Sequence, residues 1–193
     1  MGEPPLLLDP GRWGSLVGLA GGTVFIASYS SALGAAASTI AWVAGLAGVA
    51  AALFRHYVRP VALGPLVRPG PRALATYAGC VAGELVLIAL GSRALAAVHH
   101  GELRPALIAA VVGAHFIPFA WAFRERVFSH LGGAVTAIGA AGLVAGALGV
   151  PRAAEGAAVA AGLVMIAVLV LHAQGRFAAP RTSAWREAGP GRR

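Results

Sequence analysis

Lysine and asparagine are absent from this 193-residue chain, glutamine occurs once, at Gln174, and charged residues of all kinds make up only 11% of it. Ordinary soluble domains carry about 25% charged residues. Fifteen basic and seven acidic side chains cannot lay a polar skin over a chain this long, which excludes a soluble globular enzyme. Cys80 is the sole cysteine, so a disulfide scaffold is excluded as well. A hydrophobic content of 58% excludes a disordered chain. The familiar catalytic signatures are also missing: there is no H-E-x-x-H, G-x-S-x-G, P-loop or C-x-x-C. The charged pairs of intramembrane phosphotransferases are absent too, and no internal repeat is evident beyond a shared Ala/Gly bias. No catalytic residue, metal ligand or cofactor is assigned on this basis.

What is present is a series of long, nearly uncharged runs. A hydrocarbon core of about 30 Å, at 1.5 Å rise per residue, requires about 20 apolar residues per helix. Such runs fall at about 13–31, 34–54, 73–92 (with room to continue to Val98), 105–123, 127–150 and 154–174. No charge occurs between Trp13 and Phe54, too long a stretch for one crossing, and the polar run Ser28-Tyr29-Ser30-Ser31 ahead of Gly34 is the natural place to turn. The runs are apolar on every face, which excludes the alternating pattern of a β-barrel. The expectation is an all-α integral membrane protein of about six transmembrane helices. A short segment, 1–12, precedes the domain at 13–175, and a basic, disordered tail follows over 176–193. The segment 1–12 lacks the basic region of a secretory signal and reads as a short tail into a helix that is retained.

With the amino terminus placed inside, twelve of the fifteen arginines fall on the cytoplasmic side and three, Arg93, Arg104 and Arg152, outside. The positive-inside rule therefore predicts both termini in the cytoplasm, in a cell membrane. The net charge of +8 does not point to nucleic acid, because the arginines sit at helix ends and on a tail without interleaved aromatics. The partners it points to are the bilayer itself and anionic head groups at the cytoplasmic face. Glycines at four-residue spacing (Gly14/Gly18, Gly18/Gly22, Gly79/Gly83 and Gly142/Gly146) predict closely packed helices, within the chain, in a homo-oligomer or against a membrane protein partner. Trp13, Trp121 and Tyr57 fall where interfacial anchors belong, whereas Trp42 is expected to pack inside.

Ionisable groups deep in a span are costly and mark candidate functional sites. Two qualify, Glu84 in the third span and His115 in the fourth. Their helices are consecutive and antiparallel, so the two groups should lie at similar depth and meet if both face the shared seam. A carboxylate there must be neutral or partnered, and a histidine is a fitting partner for a shared proton. Tyr77, Cys80, Glu84 and Ile88 lie on one helical face, so Tyr77 could extend a polar path. Arg93 is half a revolution away from Glu84 and should reach for the interface. Pro118 cannot donate to the carbonyl of Ala114 and should kink the helix just past His115. The alternative is structural, with each group satisfied by its neighbours. His56, His130 and His172 fall toward one interface without the spacing of a metal motif, and His99, His100 and Glu102 share the outer loop.

The segment Gly113-Ala114-His115-Phe116-Ile117-Pro118-Phe119-Ala120 resembles a G-x-H-F-x-P-x-A helix of small multi-pass bacterial membrane proteins without assigned activity. The resemblance covers this helix and implies that His115 and Pro118 belong to one unit. The functional expectation is a small transporter or channel with a proton-linked Glu/His pair. The alternative is a non-catalytic membrane subunit that packs through its glycine-rich faces.

Overall fold

A computed structural model describes residues 10–61, 70–123 and 125–177. The segment before Pro10, Arg68, Arg124 and the tail beyond Phe177 lie outside the described residues. The described chain forms six α-helices: α1 (Pro10–Tyr29), α2 (Ala35–Leu53), α3 (Pro71–Ala97), α4 (Arg104–Ala122), α5 (Arg126–Ala147) and α6 (Ala153–Ala173). All six are long and apolar enough to cross a membrane, and no strand occurs among the described residues. This is an all-helical, multi-pass membrane architecture.

Local chemistry places the breaks. A short 3-10 turn over Ser30–Leu33 separates α1 from α2, and Gly34 then takes φ 90, where a side chain would be strained. The Gly34 N–H donates to the Ser31 carbonyl, closing the turn that the serine run predicts. At its other end α2 widens into a π turn over Phe54–Val58. α3 and α4 both open with proline in the first turn, where the missing N–H costs no hydrogen bond. α3 is longer than its apolar run requires: its 27 residues span about 40 Å, more than the hydrocarbon core, so it must tilt or protrude. α4 continues through Pro118 to Ala122.

α6 is the hub. It packs against α1, α2, α4 and α5, and half of its most apolar window is buried, against 6% for α3. Leu19 and Ile26 of α1, Ala41 and Ala52 of α2, and Ile166 and Leu169 of α6 form one buried cluster. Phe25, Ala109, Leu131, Val135, Ala161 and Met165 form a second, between α1, α4, α5 and α6. Trp42 packs against the first cluster, while Trp13 and Trp121 are exposed. α3 is peripheral, held chiefly by α4.

Helix backbones touch where glycine permits it. A methyl group on Gly162 would lie 2.6 Å from the carbonyl oxygen of Gly22, and one on Gly22 would lie 2.8 Å from that of Gly162. On the α4–α5 seam, added methyl groups on Gly113 and Gly139 would collide with the backbone nitrogens of Thr136 and Ala110. Of the glycines that spacing singles out, Gly18, Gly22, Gly142 and Gly146 lie against neighbouring helices, but Gly14, Gly79 and Gly83 meet nothing within 4 Å. A four-residue interval puts two glycines on one face without deciding which face has a neighbour.

Gly113→Ala and Gly139→Ala should therefore each destabilise the purified protein by about 1–3 kcal/mol, since the obstructing atoms are backbone. Gly79→Ala should stay within about 0.5 kcal/mol or be slightly stabilising. Thermal unfolding in detergent, followed by circular dichroism, distinguishes them, and equal losses at all three positions would contradict the packing described.

Candidate intramembrane polar site

α3 turns one stripe toward α4. Ala73 is buried, and Thr76, Cys80, Glu84, Ile88, Ser92 and Leu95 are half-buried, while most of the remaining surface is exposed. Steps of three and four residues generate such a stripe on any helix. Its apolar positions pack: Gly91 receives Leu107 of α4 in close contact. Its polar positions need partners, because lipid supplies none.

Glu84 and His115 are one another's partners. Glu84 lies about 20 Å along α3 from the α3–α4 connection and His115 about 17 Å along α4, so antiparallel pairing brings them to one depth. The His115 Nδ1 stands 3.2 Å from the Glu84 Oε2, with side chains 12% and 19% exposed respectively. The approach is of ion-pair length, although Nδ1 is not aligned with an acceptor as a hydrogen bond requires. The imidazole is walled by aromatic rings, its centroid 4.1 Å from that of Phe116 and 5.3 Å from that of Phe119, the latter edge-on. The pair is thus walled by rings on one side.

Other residues singled out in the sequence occupy distinct places. Tyr77 is about half exposed, and its ring stacks on Phe119 at 5.5 Å. It joins the aromatic wall below His115, and no hydrogen bond links it to the pair. Pro118 lies one turn beyond His115, inside α4, and the aromatic cluster continues past it through Phe119, Phe123 and Phe128. Arg93 is exposed, as its helical phase predicts. Ser92, two turns along the same stripe, has its Oγ buried without a hydrogen-bond partner. In the turn between α4 and α5, outside the spans, burial pushes the Glu125 carboxyl above the ordinary carboxylate range.

The remaining histidines divide. His130 is exposed and its Nδ1 bonds with the Arg126 carbonyl, whereas His56 and His172 are buried. Among the described residues no group of three His, Cys, Asp or Glu is arranged to hold a metal ion. His100 Nδ1 pairs with Glu102 at 3.0 Å on the surface.

Two clusters escaped sequence reasoning. Arg12 and Ser15 of α1, His56 and His172 are each buried, and the Arg12 guanidinium donates to the His56 carbonyl. An arginine one residue before an apolar run reads as a flank, and its contact with the π turn is a tertiary one that no local spacing announces. At the opposite end of the bundle, Tyr29, Arg104 and Glu155 line one cavity. They come from three helices far apart in the chain, and no local spacing announces them.

If Glu84 and His115 interact across the seam, their substitutions cannot be additive. A double-mutant cycle with Glu84→Gln and His115→Ala should return a coupling of about 0.5–2 kcal/mol, the range of interhelical polar contacts in membranes. Detergent unfolding of the four proteins measures it, and additivity would mean that the groups do not interact.

No curated protein and no solved structure matches this chain. One family does, over residues 74–174, and it is described as a family of unknown function, DUF7010. The matched stretch begins in α3 and ends just past α6, so it contains Glu84, His115 and the seam between them. Because it spans just over half of the chain, the protein belongs to the DUF7010 family.

Proposed function

We propose that the protein is a small membrane transporter or channel in which Glu84 and His115 share and exchange a proton. The observation that carries this reading is their 3.2 Å approach, near the middle of α3 and α4. Titratable side chains persist in a bilayer interior at considerable cost, and pathways for protons or ions are a common reason. A carboxyl and an imidazole in contact can hold one proton between them and release it when the seam is wetted. Cys80 and Ser92, on the same stripe of α3, would give water a foothold on either side of the pair. In this reading the protein resides in a bacterial inner membrane with both termini in the cytoplasm, the side that collects twelve of fifteen arginines. Anionic head groups meet those arginines there.

A second reading has one observation in its favour. Only 6% of the most apolar window of α3 is buried, and Gly79 and Gly83 on it meet nothing within 4 Å. A non-catalytic subunit would use that face to pack against a second membrane protein or another copy. It requires a stoichiometric partner on isolation, or a homo-oligomer by native mass spectrometry.

Proton flux in proteoliposomes, read with an interior pH dye under an imposed potential, tests the first reading. Glu84→Gln and His115→Ala should each lower the flux at least about tenfold, equivalent to 1.4 kcal/mol on a barrier. Gly79→Ala should leave it intact. Flux that survives both pair substitutions, or that matches empty liposomes for the parent protein, would remove the proposal.

A further inference from the structure

The end of the bundle away from the chain termini carries an open surface cavity of about 550 Å³, in which Glu102 and Arg104 are exposed and Glu155 is half-buried. It lies where the last turn of α1, the start of α4 and the first turn of α6 converge. Ser28, Tyr29, Glu102, Arg104 and Glu155 supply its polar lining. A second cavity of about 230 Å³ shares Glu102 and Glu155 with it.

The charges in this cavity are opposite in sign and unspent on each other. Arg104 and Glu155 line the same space, yet no ion pair joins Arg104 to Glu155 or to Glu102. Glu102 is engaged by His100 at 3.0 Å, which leaves Glu155 as the acidic group of the lining without an ion-pair partner. Two charges of opposite sign that line one space are complementary to a molecule that carries an acid at one end and an ammonium at the other. Tyr29, which also lines the cavity, packs onto both main core clusters. Occupancy of the cavity is therefore in direct contact with the α1–α6 core.

We infer that this cavity binds a small zwitterion, its acid group on Arg104 and its ammonium on Glu155. The shared chemistry admits two sources, a soluble amino-acid-like solute and the head group of a zwitterionic phospholipid. The inference does not depend on the proton reading of Glu84 and His115, since it concerns binding and is measured without flux.

The test uses the full chain in detergent with glycine and phosphoethanolamine as zwitterionic probes, and ethanolamine, acetate and inorganic phosphate as singly functional controls. At least one zwitterion should raise the unfolding temperature saturably, while the controls do not at equal concentration. Arg104→Gln and Glu155→Gln should each weaken that binding by at least about tenfold. Ser28→Trp, at an exposed position on the rim, should abolish it while preserving the helical spectrum of the parent. Repeating the titration in nanodiscs with and without phosphatidylethanolamine separates the sources. Loss of probe binding when that lipid is present assigns the site to a head group, and unchanged binding assigns it to a soluble solute. The inference is overturned if neither zwitterion binds, if a singly functional control binds as well, or if both charge substitutions bind like the parent.

Discussion

In a hydrocarbon solvent every helix must close its own backbone hydrogen bonds, and apolar side chains gain nothing by leaving lipid for protein. Helix association then rests on how closely two backbones can approach. The Gly22–Gly162 crossing and the Gly113 and Gly139 contacts of α4 with α5 bring main chains together where any larger residue would hold them apart. α6 can touch four other helices because small residues dominate its buried surface, with Ala158 and Ala161 fully enclosed. The arrangement of the other five helices follows from the faces that α6 and α5 offer.

α3 stands outside that scheme. Its Gly79 and Gly83 face no neighbour within 4 Å, and α4 provides most of its contacts. The seam between them carries the only titratable pair at mid-depth among the described residues, Glu84 with His115. A helix attached along one side by a polar contact and a few apolar ones can shift more readily than a helix embedded in the α1–α5–α6 core. Such mobility suits a site that must admit water to exchange a proton, and it equally suits a surface awaiting a partner helix. The aromatic wall of Phe116, Phe119 and Tyr77 closes the seam on one side, so water would approach chiefly along the Cys80–Glu84–Ser92 stripe.

Much of this was legible in the residues alone. The six spans follow from the length of uncharged runs, the α1–α2 break from the serine run and Gly34, and the equal depth of Glu84 and His115 from consecutive antiparallel helices, whereas their contact depends on both facing the seam, which spacing alone does not decide. The phase of α3 also placed Arg93 away from the pair. What escaped was set by tertiary packing. Arg12 is buried where its guanidinium meets the His56 carbonyl of the π turn at Phe54–Val58. The Tyr29–Arg104–Glu155 cavity draws on three elements widely separated in the chain. Glycine spacing was ambiguous for a related reason, since periodicity defines a face but not its neighbour. Tyr77 shares a helical face with Glu84, yet its ring finds a better surface on Phe119 than along the polar line.

The central claim is that Glu84 and His115 titrate as one unit inside the bilayer, and infrared spectroscopy of the protein in lipid tests it most directly. The Glu84 carboxyl band, assigned by its loss in Glu84→Gln, is followed through a pH titration in the parent and in His115→Ala. A shared proton requires the midpoint to move by about one pH unit or more when the imidazole is removed, the scale of coupling between interacting groups. A carboxyl band that titrates identically with and without His115 would contradict the account.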